Sequence, residues 1–545
     1  MAMMAKPRST IGSIKGWLPW LAAVGSIGCG VAPTGLTAGT WWGDLKYPDR
    51  AERLELLVDS GAAKATVSIA SWQMNETAGT IRRLSTDSLE LAAVHGTDTV
   101  MLRGALARGA FRGEARHGND LVPFELRQVR LLTDSAWAAI VGTYRARDGL
   151  IGIAPFAEFG PGVRLIDYRT GRLGPLIPVS DDRFLVGHSV IAPLWPADTM
   201  EVQRGQGGQL LAIRWFGRRQ PETVAERVAT RDEEVQFSNG PVTLRGTLTI
   251  PPDSGPHPAI VIVHGSGPLT RQVLEPWARF FAGQGYAVLS YDKRGTGQST
   301  GDWKQSDFAA LAGDVHAGVQ LLAGRADIRH DRIGLWGASQ AGWIMPLVAS
   351  TWPGEVAFMI VHAGTGTTVR EQGVLNMGYE YRFHGATDSI IAMVTHYRML
   401  DDAVTRTGKG EDELVRYYRA HREEAQLWEP APADDPFRRY YRMLMDFDPA
   451  GSWARVKIPV LLFFGELDAN VPPKESWPPI ERALARAGNT EVTHYLLPKA
   501  NHLFFEAQTG AREEYPGLSR FVSGYFDRMA EWLHKPPVGR DGPTP

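Results

Sequence analysis

One serine in a run of small residues is the first candidate for chemistry in this sequence. Ser339 lies in Gly-Ala-Ser-Gln-Ala-Gly, residues 337–342, between two apolar runs. A serine on a sharp turn from a strand into a helix needs small residues two positions before and after it, so that strand and helix can pass closely. Gly337 and Ala341 meet this requirement. The pattern predicts an exposed Ser339 hydroxyl at the start of a helix, although the motif by itself is also typical of an ordinary turn.

An acidic residue and a histidine follow this serine in the chain. A hydroxyl is a poor nucleophile until an imidazole removes its proton, and the imidazole needs a carboxylate that fixes its tautomer and stabilises its charged form. The apolar run 460–464 leads to Asp468, and the run 493–497 leads to His502. Serine, acid and histidine in this order, each just after a strand, are expected for a sheet of parallel strands. Glu466 is the alternative acid.

The elements that must position these residues follow from the pattern of apolar residues. From about residue 233, continuous apolar runs such as 259–263 and 287–291 alternate with helical stretches. An amphipathic helix is predicted where apolar residues recur at helical spacing: Phe308, Leu311, Val315, Val319 and Leu322. Buried strands that alternate with helices predict an α/β fold, with a mainly parallel sheet covered on both faces. Chemistry is expected at the carboxyl ends of such strands.

Two earlier segments alternate apolar and polar residues with a period of two. These segments, about 41–132 and 137–215, consist of short runs bounded by Gly, Asp and Asn, which predict antiparallel strands with one solvated face. Neither carries a cluster of His, Asp and Glu, and their sequences do not resemble repeats of each other. We therefore predict small β-rich modules at 39–133 and 134–232, followed by a catalytic domain at 233–545.

The first residues have the order of a secretory leader. Basic residues precede the apolar stretch 17–32, which ends among small residues. The stretch is shorter than the roughly 20 residues that a membrane-spanning helix needs. We predict that residues 1–38 are a leader, cleaved after Ala32 or Ala38, and that the protein is exported to the periplasm or secreted; an unstructured extension is the alternative. Cys29 resembles a lipoprotein acceptor, although Ser26 departs from that pattern, so a lipid anchor would be the membrane attachment.

Composition and spacing exclude several other functions. Lys and Arg number 58 against 60 Asp and Glu, a net charge of -2, which is not the footprint of a nucleic-acid binder. The single cysteine excludes an intramolecular disulfide, a cysteine-based zinc site and a redox pair. His502 and Glu506 belong to no further ligand motif, and the glycines after residue 294 lack dinucleotide spacing. We expect neither a metal nor an organic cofactor.

On these residues, the stretch 235–535 resembles the α/β-hydrolase superfamily. The motifs that carry the resemblance are HGSGP at 264–268, YDKRGTGQS at 291–299, LWGASQAGW at 335–343, FFGELDANVP at 463–472 and KANH at 499–502. The likeness extends to bacterial carboxylesterases with a β-rich amino-terminal extension, relatives of dienelactone hydrolases and prolyl-oligopeptidase-like enzymes. Ala341 departs from the nucleophile pentapeptide of the family, which has Gly at this position.

The resemblance implies a role for each site residue. Ser339 would be the nucleophile, His502 the general base and then acid, and Asp468 the orienting carboxylate. The backbone N–H groups of Ser266 and Gln340 would form the oxyanion hole, in which each donor contributes about 10²- to 10³-fold in rate.

Other polar residues near these motifs have structural interpretations. We expect His264 to brace its own loop and His362 to have a packing role. The segment 292–294, Asp-Lys-Arg, is expected to form a structural ion-pair turn near the site.

About a hundred residues separate the strands that end near Val361 and begin at Val460. A connection of this length is normally a functional insertion. In hydrolases of this shape it forms a helical cap, here at about 365–450, whose aromatic residues either set the substrate or form its own core. The resemblance therefore implies hydrolysis of small or medium, apolar carboxylic esters through an acyl-enzyme. Two alternatives are a serine peptidase or amidase of the prolyl-oligopeptidase or proline-iminopeptidase type, and a non-catalytic binding protein on a hydrolase scaffold.

Overall fold

The computed structural model describes residues 36–535, apart from 49–50, 70–71, 73, 86, 96–97, 108, 160–161, 192–197, 218–220 and 433. Cys29 and most of the predicted leader lie outside the described residues. Leu36 is buried, and the Thr37 hydroxyl donates to Gln128 Oε1 at 2.8 Å, so the end of the predicted 1–38 segment packs with the first module. No helix in the described ranges has the length and apolarity needed to cross a bilayer.

The first β-rich module is a closed antiparallel barrel. Its period-two pattern turns Leu54, Leu56 and Val58 into the interior, while Leu57 between them faces solvent. In the described residues the barrel has eight strands: β1 Gly39–Lys46, β2 Ala51–Val58, β3 Lys64–Ile69, β4 Met74–Arg83, β5 Ser88–His95, β6 Asp98–Ala107, β7 Ala110–His117 and β8 Asp120–Gln128. Because β8 pairs with β1, the described part of this module closes without an open sheet edge.

The second β-rich module is another closed antiparallel barrel, preceded by a short helix, α1 Asp134–Ile140. Its eight described strands are β9 Gly142–Ala146, β10 Gly149–Pro155, β11 Val163–Asp167, β12 Leu173–Pro178, β13 Arg183–Val186, β14 Asp198–Arg204, β15 Leu210–Phe216 and β16 Thr223–Arg227. β9 pairs with both β10 and β16. The two barrels therefore share one strand order although their sequences show no repeat. The β-rich character predicted for both segments is confirmed.

The third unit is built on one sheet. Its eight strands in the described chain are β17 Arg231–Asn239, β18 Val242–Ile250, β19 His257–Val263, β20 Ala287–Tyr291, β21 Ile328–Ala338, β22 Phe358–His362, β23 Val460–Gly465 and β24 Val492–Leu497. Their order is β17-β18-β20-β19-β21-β22-β23-β24. β19 to β24 run parallel, whereas β17 and β18 form an antiparallel hairpin at one edge. The predicted, mainly parallel sheet is confirmed.

Helices cover both faces of this sheet. The helices of the third unit are α2 Glu275–Gly283, α3 Phe308–Ala323, α4 Ala341–Thr351, α5 Val369–Phe383, α6 Asp388–Thr407, α7 Glu411–His421, α8 Pro436–Leu444, α9 Ala450–Trp453, α10 Pro473–Arg486 and α11 Tyr525–His534. α3, α4 and α10 pack on one face. α2 and α11 pack on the other, where the second barrel also contributes apolar side chains. The strands between them are buried on both sides, which explains their continuous apolar sequence.

Helices α5 to α9 form the insertion between β22 and β23, close to the predicted segment 365–450. Tyr397 is fully buried, and the rings of Tyr418 and Trp428 lie 6.4 and 5.3 Å from it. Tyr440 and Tyr441 instead belong to the main core on the α3 and α4 face. Many of the aromatic side chains therefore stabilise the insertion and its attachment.

The second barrel is joined to the third unit through α2 and the segment that follows β24. The Tyr168 hydroxyl donates to the Pro276 carbonyl at 2.6 Å, and the Thr143 hydroxyl donates to the Arg279 carbonyl at 2.7 Å. The Phe521 N–H donates to the Gly171 carbonyl at 2.8 Å. A side chain at Gly171 would collide with the Phe521 backbone, so this contact requires glycine.

Candidate functional site

The predicted strand-to-helix turn at Ser339 is present between β21 and α4. Ser339 has φ +57°, a left-handed conformation that is uncommon for a residue with a side chain. A Cβ atom on Gly337 would lie 2.5 Å from the Ala341 Cβ, and one on Gly342 would lie 2.6 Å from the Gly364 Cα. The small residues of the motif therefore permit the turn. The Ser339 side chain is half-buried, and its hydroxyl makes no hydrogen bond with a described residue.

Asp468 and His502 meet at the carboxyl ends of β23 and β24. His502 Nδ1 donates to the Asp468 carboxylate, 2.8 Å from Oδ2 and 3.0 Å from Oδ1. Oδ1 also accepts the N–H groups of Asn470 and Val471, both at 2.8 Å. These bonds fix the buried carboxylate and leave Nε2 of the imidazole without a protein partner in the described chain. The side chain of His502 is 14% exposed.

Glu466, the alternative acid, points elsewhere. It is exposed, and its carboxylate accepts the N–H of Lys499 at 2.9 Å. The loop that carries the histidine is shaped by Asn501, whose side-chain oxygen accepts the N–H groups of Leu503 and Phe505 at 3.1 and 3.0 Å. The geometry therefore pairs the imidazole with Asp468.

His362 links the backbones of Ser339 and His502. Its carbonyl accepts the Ser339 N–H at 2.9 Å, and its Nε2 donates to the His502 carbonyl at 3.3 Å. Its Nδ1 then accepts the Tyr525 hydroxyl at 2.6 Å, and that oxygen accepts the Trp277 indole N–H at 2.9 Å. Burial, with the charge of His502, holds the pKa of His362 well below its usual value, so its ring is neutral. The expected packing role thus includes a chain of directed hydrogen bonds.

We expect Tyr525→Phe to lower the free energy of unfolding by about 1–3 kcal/mol, because the variant leaves the Trp277 indole and His362 Nδ1 buried without a partner. Urea unfolding measures the change. Tyr515→Phe is the matched control, since the Tyr515 hydroxyl makes no hydrogen bond with a described residue. Equal loss of stability in the two variants would contradict a specific role for the chain of hydrogen bonds.

Ser266 and Gln340, the residues expected to supply the oxyanion hole, lie in the loop after β19 and directly after Ser339. A Cβ atom on Gly265 would lie 3.8 Å from the Ser339 Cβ, so the loop after β19 passes directly beside the nucleophile turn. In the described chain, neither the Ser266 nor the Gln340 N–H donates to a protein acceptor. Two unpaired donors next to a serine are suited to an oxyanion.

His264 braces this loop, as predicted. Its Nε2 donates to the Tyr291 carbonyl at 2.6 Å. Burial, with the charge of Lys293, lowers the pKa of His264 to about 3, so the ring is neutral.

The turn at 292–294 differs from the prediction. Asp292 accepts the guanidinium of Arg271 at 3.3 Å, and Arg294 donates to both carboxylate oxygens of Asp314 at 2.6 and 2.5 Å. The ion pairs therefore lead away from the turn and do not join its own residues. Lys293 forms no ion pair with a described residue, so its assignment to an ion-pair turn is wrong. The reason is that its side chain points inward to uncharged acceptors.

The second barrel also reaches the site, through a residue that the sequence did not single out. Glu158 lies in the short turn after β10 and is accessible to solvent. Desolvation by the surrounding protein nevertheless raises the pKa of its carboxyl group, while the charges of His502 and Arg512 act in the opposite direction. The neighbouring Phe159 ring lies 5.6 Å from the rings of both Phe505 and Tyr515. The alternating pattern of this module predicts strands and does not indicate that Glu158 lies near His502.

The insertion contacts the site from the opposite direction. Asn376 on α5 donates to the Ala469 carbonyl at 3.1 Å and to Asn470 Oδ1 at 2.9 Å, directly after Asp468. No group of three or more His, Cys, Asp or Glu side chains suited to a metal ion occurs in the ranges that the structure describes.

Together these groups can support nucleophilic chemistry. Acyl transfer needs a serine, an imidazole held by a carboxylate and two unpaired backbone donors. Here the serine is strained and the carboxylate is buried. The structure joins Asp468 to His502 directly and joins Ser339 to the His502 loop through His362.

Comparison with known proteins finds similarity to several hydrolases. Residues 254–508 match the family described as serine aminopeptidase, S33, a range that contains all five predicted site residues. Esterase EstD of Thermotoga maritima is 25% identical over 302 residues, 54% of this chain and 66% of that protein. Human acyl-coenzyme A thioesterase 1 is 28% identical over 138 residues, 24% of this chain and 30% of the thioesterase. The Pyrococcus furiosus esterase PF2001 aligns with TM-score 0.37 and 18% identity, over 56% of this chain and 91% of that structure.

These matches cover only part of each protein. The chain spans 66% of the length of the Thermotoga esterase and 30% of the length of the human thioesterase. The family match begins at residue 254, after both barrels.

Proposed function

Because the unit from Arg231 onward is an α/β hydrolase, as its motifs indicated, we propose that the protein is a serine hydrolase that cleaves carboxylic esters through an acyl-enzyme. The observation that carries the proposal is the His502–Asp468 pair, whose histidine backbone is linked through His362 to the backbone of the strained Ser339. The esterase similarity favours ester bonds, and a non-catalytic scaffold would not need a left-handed serine beside two unpaired donors.

The proposed reaction has two stages. Ser339 Oγ attacks the ester carbonyl carbon while His502 Nε2 takes the hydroxyl proton, and Asp468 stabilises the imidazolium. The N–H groups of Ser266 and Gln340 stabilise the negative oxygen. When the C–O bond breaks, His502 gives the proton to the departing alcohol. Water then attacks the acyl-enzyme in the same way and releases the acid and free Ser339.

The surroundings of the imidazole support a small or medium, apolar substrate. Phe159 from the second barrel and Tyr515 are partly accessible rings beside the buried Phe505. These aromatic rings favour apolar acyl or alcohol groups in the substrate, because burying apolar surface is favourable.

A second candidate is cleavage of an aminoacyl amide. The matched family is described as serine aminopeptidase, and the Glu158 carboxylate lies near enough to His502 for their charges to interact. A carboxylate in this position would attract the amino group of an aminoacyl substrate.

A substrate panel separates these candidates. We expect turnover of p-nitrophenyl esters with short and medium acyl chains, and slower turnover or none of aminoacyl p-nitroanilides. An acyl-coenzyme A thioester belongs in the same panel, given the thioesterase similarity. Initial rates at matched concentrations give kcat/KM for each substrate. Amide turnover without ester turnover would refute ester hydrolysis in favour of the second candidate.

A fluorophosphonate probe tests the nucleophile independently of the substrate. We expect one adduct per chain, on Ser339, because this serine combines the unpaired hydroxyl with a nearby base. Peptide mass spectrometry locates the adduct. Labelling of a different serine would contradict the assignment, and an Ala variant of His502 should label much more slowly.

A further inference from the structure

Lys293 is a buried lysine whose ammonium has no carboxylate partner among the residues that the structure describes. It follows β20 and is 2% exposed. Its Nζ donates to the Gly265 carbonyl and to Gln340 Oε1, both at 2.9 Å. The nearby carboxylates are used elsewhere, since Asp292 binds Arg271 and Asp314 binds Arg294. A buried cation held only by neutral acceptors is unfavourable and needs a reason.

Its first acceptor belongs to the same peptide group as a proposed oxyanion donor. The carbonyl of Gly265 and the N–H of Ser266 are the two ends of one peptide unit. In a planar trans peptide these two groups point in opposite directions. An ammonium bound to the carbonyl therefore fixes the plane with the N–H turned away from Lys293. It also polarises the unit, which makes the N–H a stronger donor.

Its second acceptor belongs to the residue that carries the other donor. The side chain of Gln340 is held at both ends, because its oxygen accepts from Lys293 and its amide donates to the Tyr440 hydroxyl at 3.3 Å. Gln340 is buried, and its backbone N–H stays unpaired in the described chain. One ammonium thus connects the Gly265–Ser266 peptide with Gln340, the two parts of the proposed oxyanion hole.

We propose that Lys293 is the positioning residue of the oxyanion hole, which orients the Gly265–Ser266 peptide and Gln340 and whose positive charge is complemented by the anion formed during acyl transfer. This inference rests on the proposed serine hydrolase function. A charge that is unpaired in the resting protein and complemented in the transition state lowers the barrier, because the interaction is stronger in the transition state than in the ground state.

The charge of Lys293 should also respond to pH. Burial lowers the pKa of Lys293 to about 7, while Asp314 on α3 acts weakly in the opposite direction. The other groups around it keep one charge state: His264 is neutral, burial raises the pKa of Tyr440, and Arg294 and Asp292 are in ion pairs. Because a lysine is charged below its pKa, its contribution is present at low pH and is lost as pH rises through about 7.

Lys293→Met tests the proposal, since methionine keeps an unbranched side chain but cannot donate or carry charge. We expect kcat for an ester to fall by about 10²-fold with KM changed less than about threefold, because the loss falls on the transition state. The affinity for a trifluoromethyl ketone, which forms an anionic tetrahedral adduct, should fall by a similar factor. Lys304→Met is the matched control. Its ammonium also lies near the Trp303 ring, at 5.5 Å against 5.6 Å for Lys293, but it is exposed, and kcat should not change.

The outcomes distinguish the inference from the function on which it rests. A Lys293→Met enzyme with kcat within about threefold of the parent, or with an equal loss at every pH from about 6 to 9, would overturn the role of the charge. If the Met variant does not fold, Lys293→Gln keeps a donor without the charge and must show the same separation of kcat from KM. Full activity of Ser339→Ala would instead refute the serine hydrolase function.

Discussion

The Ser339→Ala variant is expected to lose about 10⁶-fold in kcat while keeping its fold. Ser339 Oγ is the atom that attacks in the proposed mechanism, and the variant has no side-chain nucleophile at this position to form the acyl-enzyme. Alanine fits the site, because the Ser339 hydroxyl makes no hydrogen bond with a described residue that the variant would leave unpaired. The left-handed backbone at this position is no more strained for alanine than for serine.

Steady-state kinetics on the best ester of the panel measures this loss, and circular dichroism with thermal unfolding checks the fold. Ser350→Ala is the matched control, because Ser350 lies on the same helix, α4, where its hydroxyl donates to the Leu347 carbonyl at 3.2 Å and accepts from the Arg455 guanidinium at 3.4 Å. Its activity should equal that of the parent. A Ser339→Ala enzyme within tenfold of the parent would show that another group performs the reaction.

The second large effect is expected for Asp468→Asn, about 10⁴-fold in kcat. The carboxylate accepts His502 Nδ1–H, which leaves Nε2 as the proton acceptor in the proposed mechanism. An amide in its place favours the wrong tautomer of the imidazole and cannot stabilise the imidazolium. The side-chain oxygen of Asn can still accept the N–H groups of Asn470 and Val471, so the loop should keep its shape.

Glu466→Gln is the control for this variant, since Glu466 is the acid that the same sequence motif offers two residues earlier. Its carboxylate accepts a backbone N–H and does not contact the imidazole. We expect its kcat to stay within about threefold of the parent. The opposite result, with Glu466→Gln impaired and Asp468→Asn active, would exchange the roles of the two acids.

Local sequence predicted which candidate residues meet where each lies just after a strand of the sheet. Asp468 and His502 are 34 residues apart, but both follow buried apolar strands that the structure pairs in parallel. Because the carboxyl ends of parallel strands lie along one edge of the sheet, the positions of Asp468 and His502 just after two such strands were enough to predict that they meet. The turn at Ser339 was predictable for a similar reason, since its small neighbours are a local requirement.

Long-range contacts could not be predicted in this way. Period-two alternation identified the strands of the first module, but the pairing of β8 with β1 depends on residues far apart, such as Trp41 and Gln128. Lys293 was expected to belong to an ion-pair turn because its neighbours are Asp292 and Arg294, and nothing local indicates that its partners are Gly265 and Gln340. Glu158 was hidden for the same reason, since its module is remote from the site in sequence.

Backbone strain is concentrated near the candidate site. Ser339, Ala363, Lys499 and Phe504 all have positive φ between +48° and +62° without being glycine. Each lies in a loop at the carboxyl end of the parallel sheet. Such conformations persist only where the surrounding structure holds them, and here the packed core and the His362 hydrogen bonds supply that support.

The apolar interior that α2 shares with the second barrel has a consequence for how the protein unfolds. Phe156 of the barrel lies 5.5 Å from the Trp277 ring of α2 and 6.2 Å from the Phe505 ring of the histidine loop. Removing residues 142–227 would uncover these rings, so the barrel and the hydrolase unit belong to one cooperative unit. Heat or denaturant that melts the barrel would therefore abolish the proposed activity in the same transition, and mutations far from Ser339 would change its thermal tolerance.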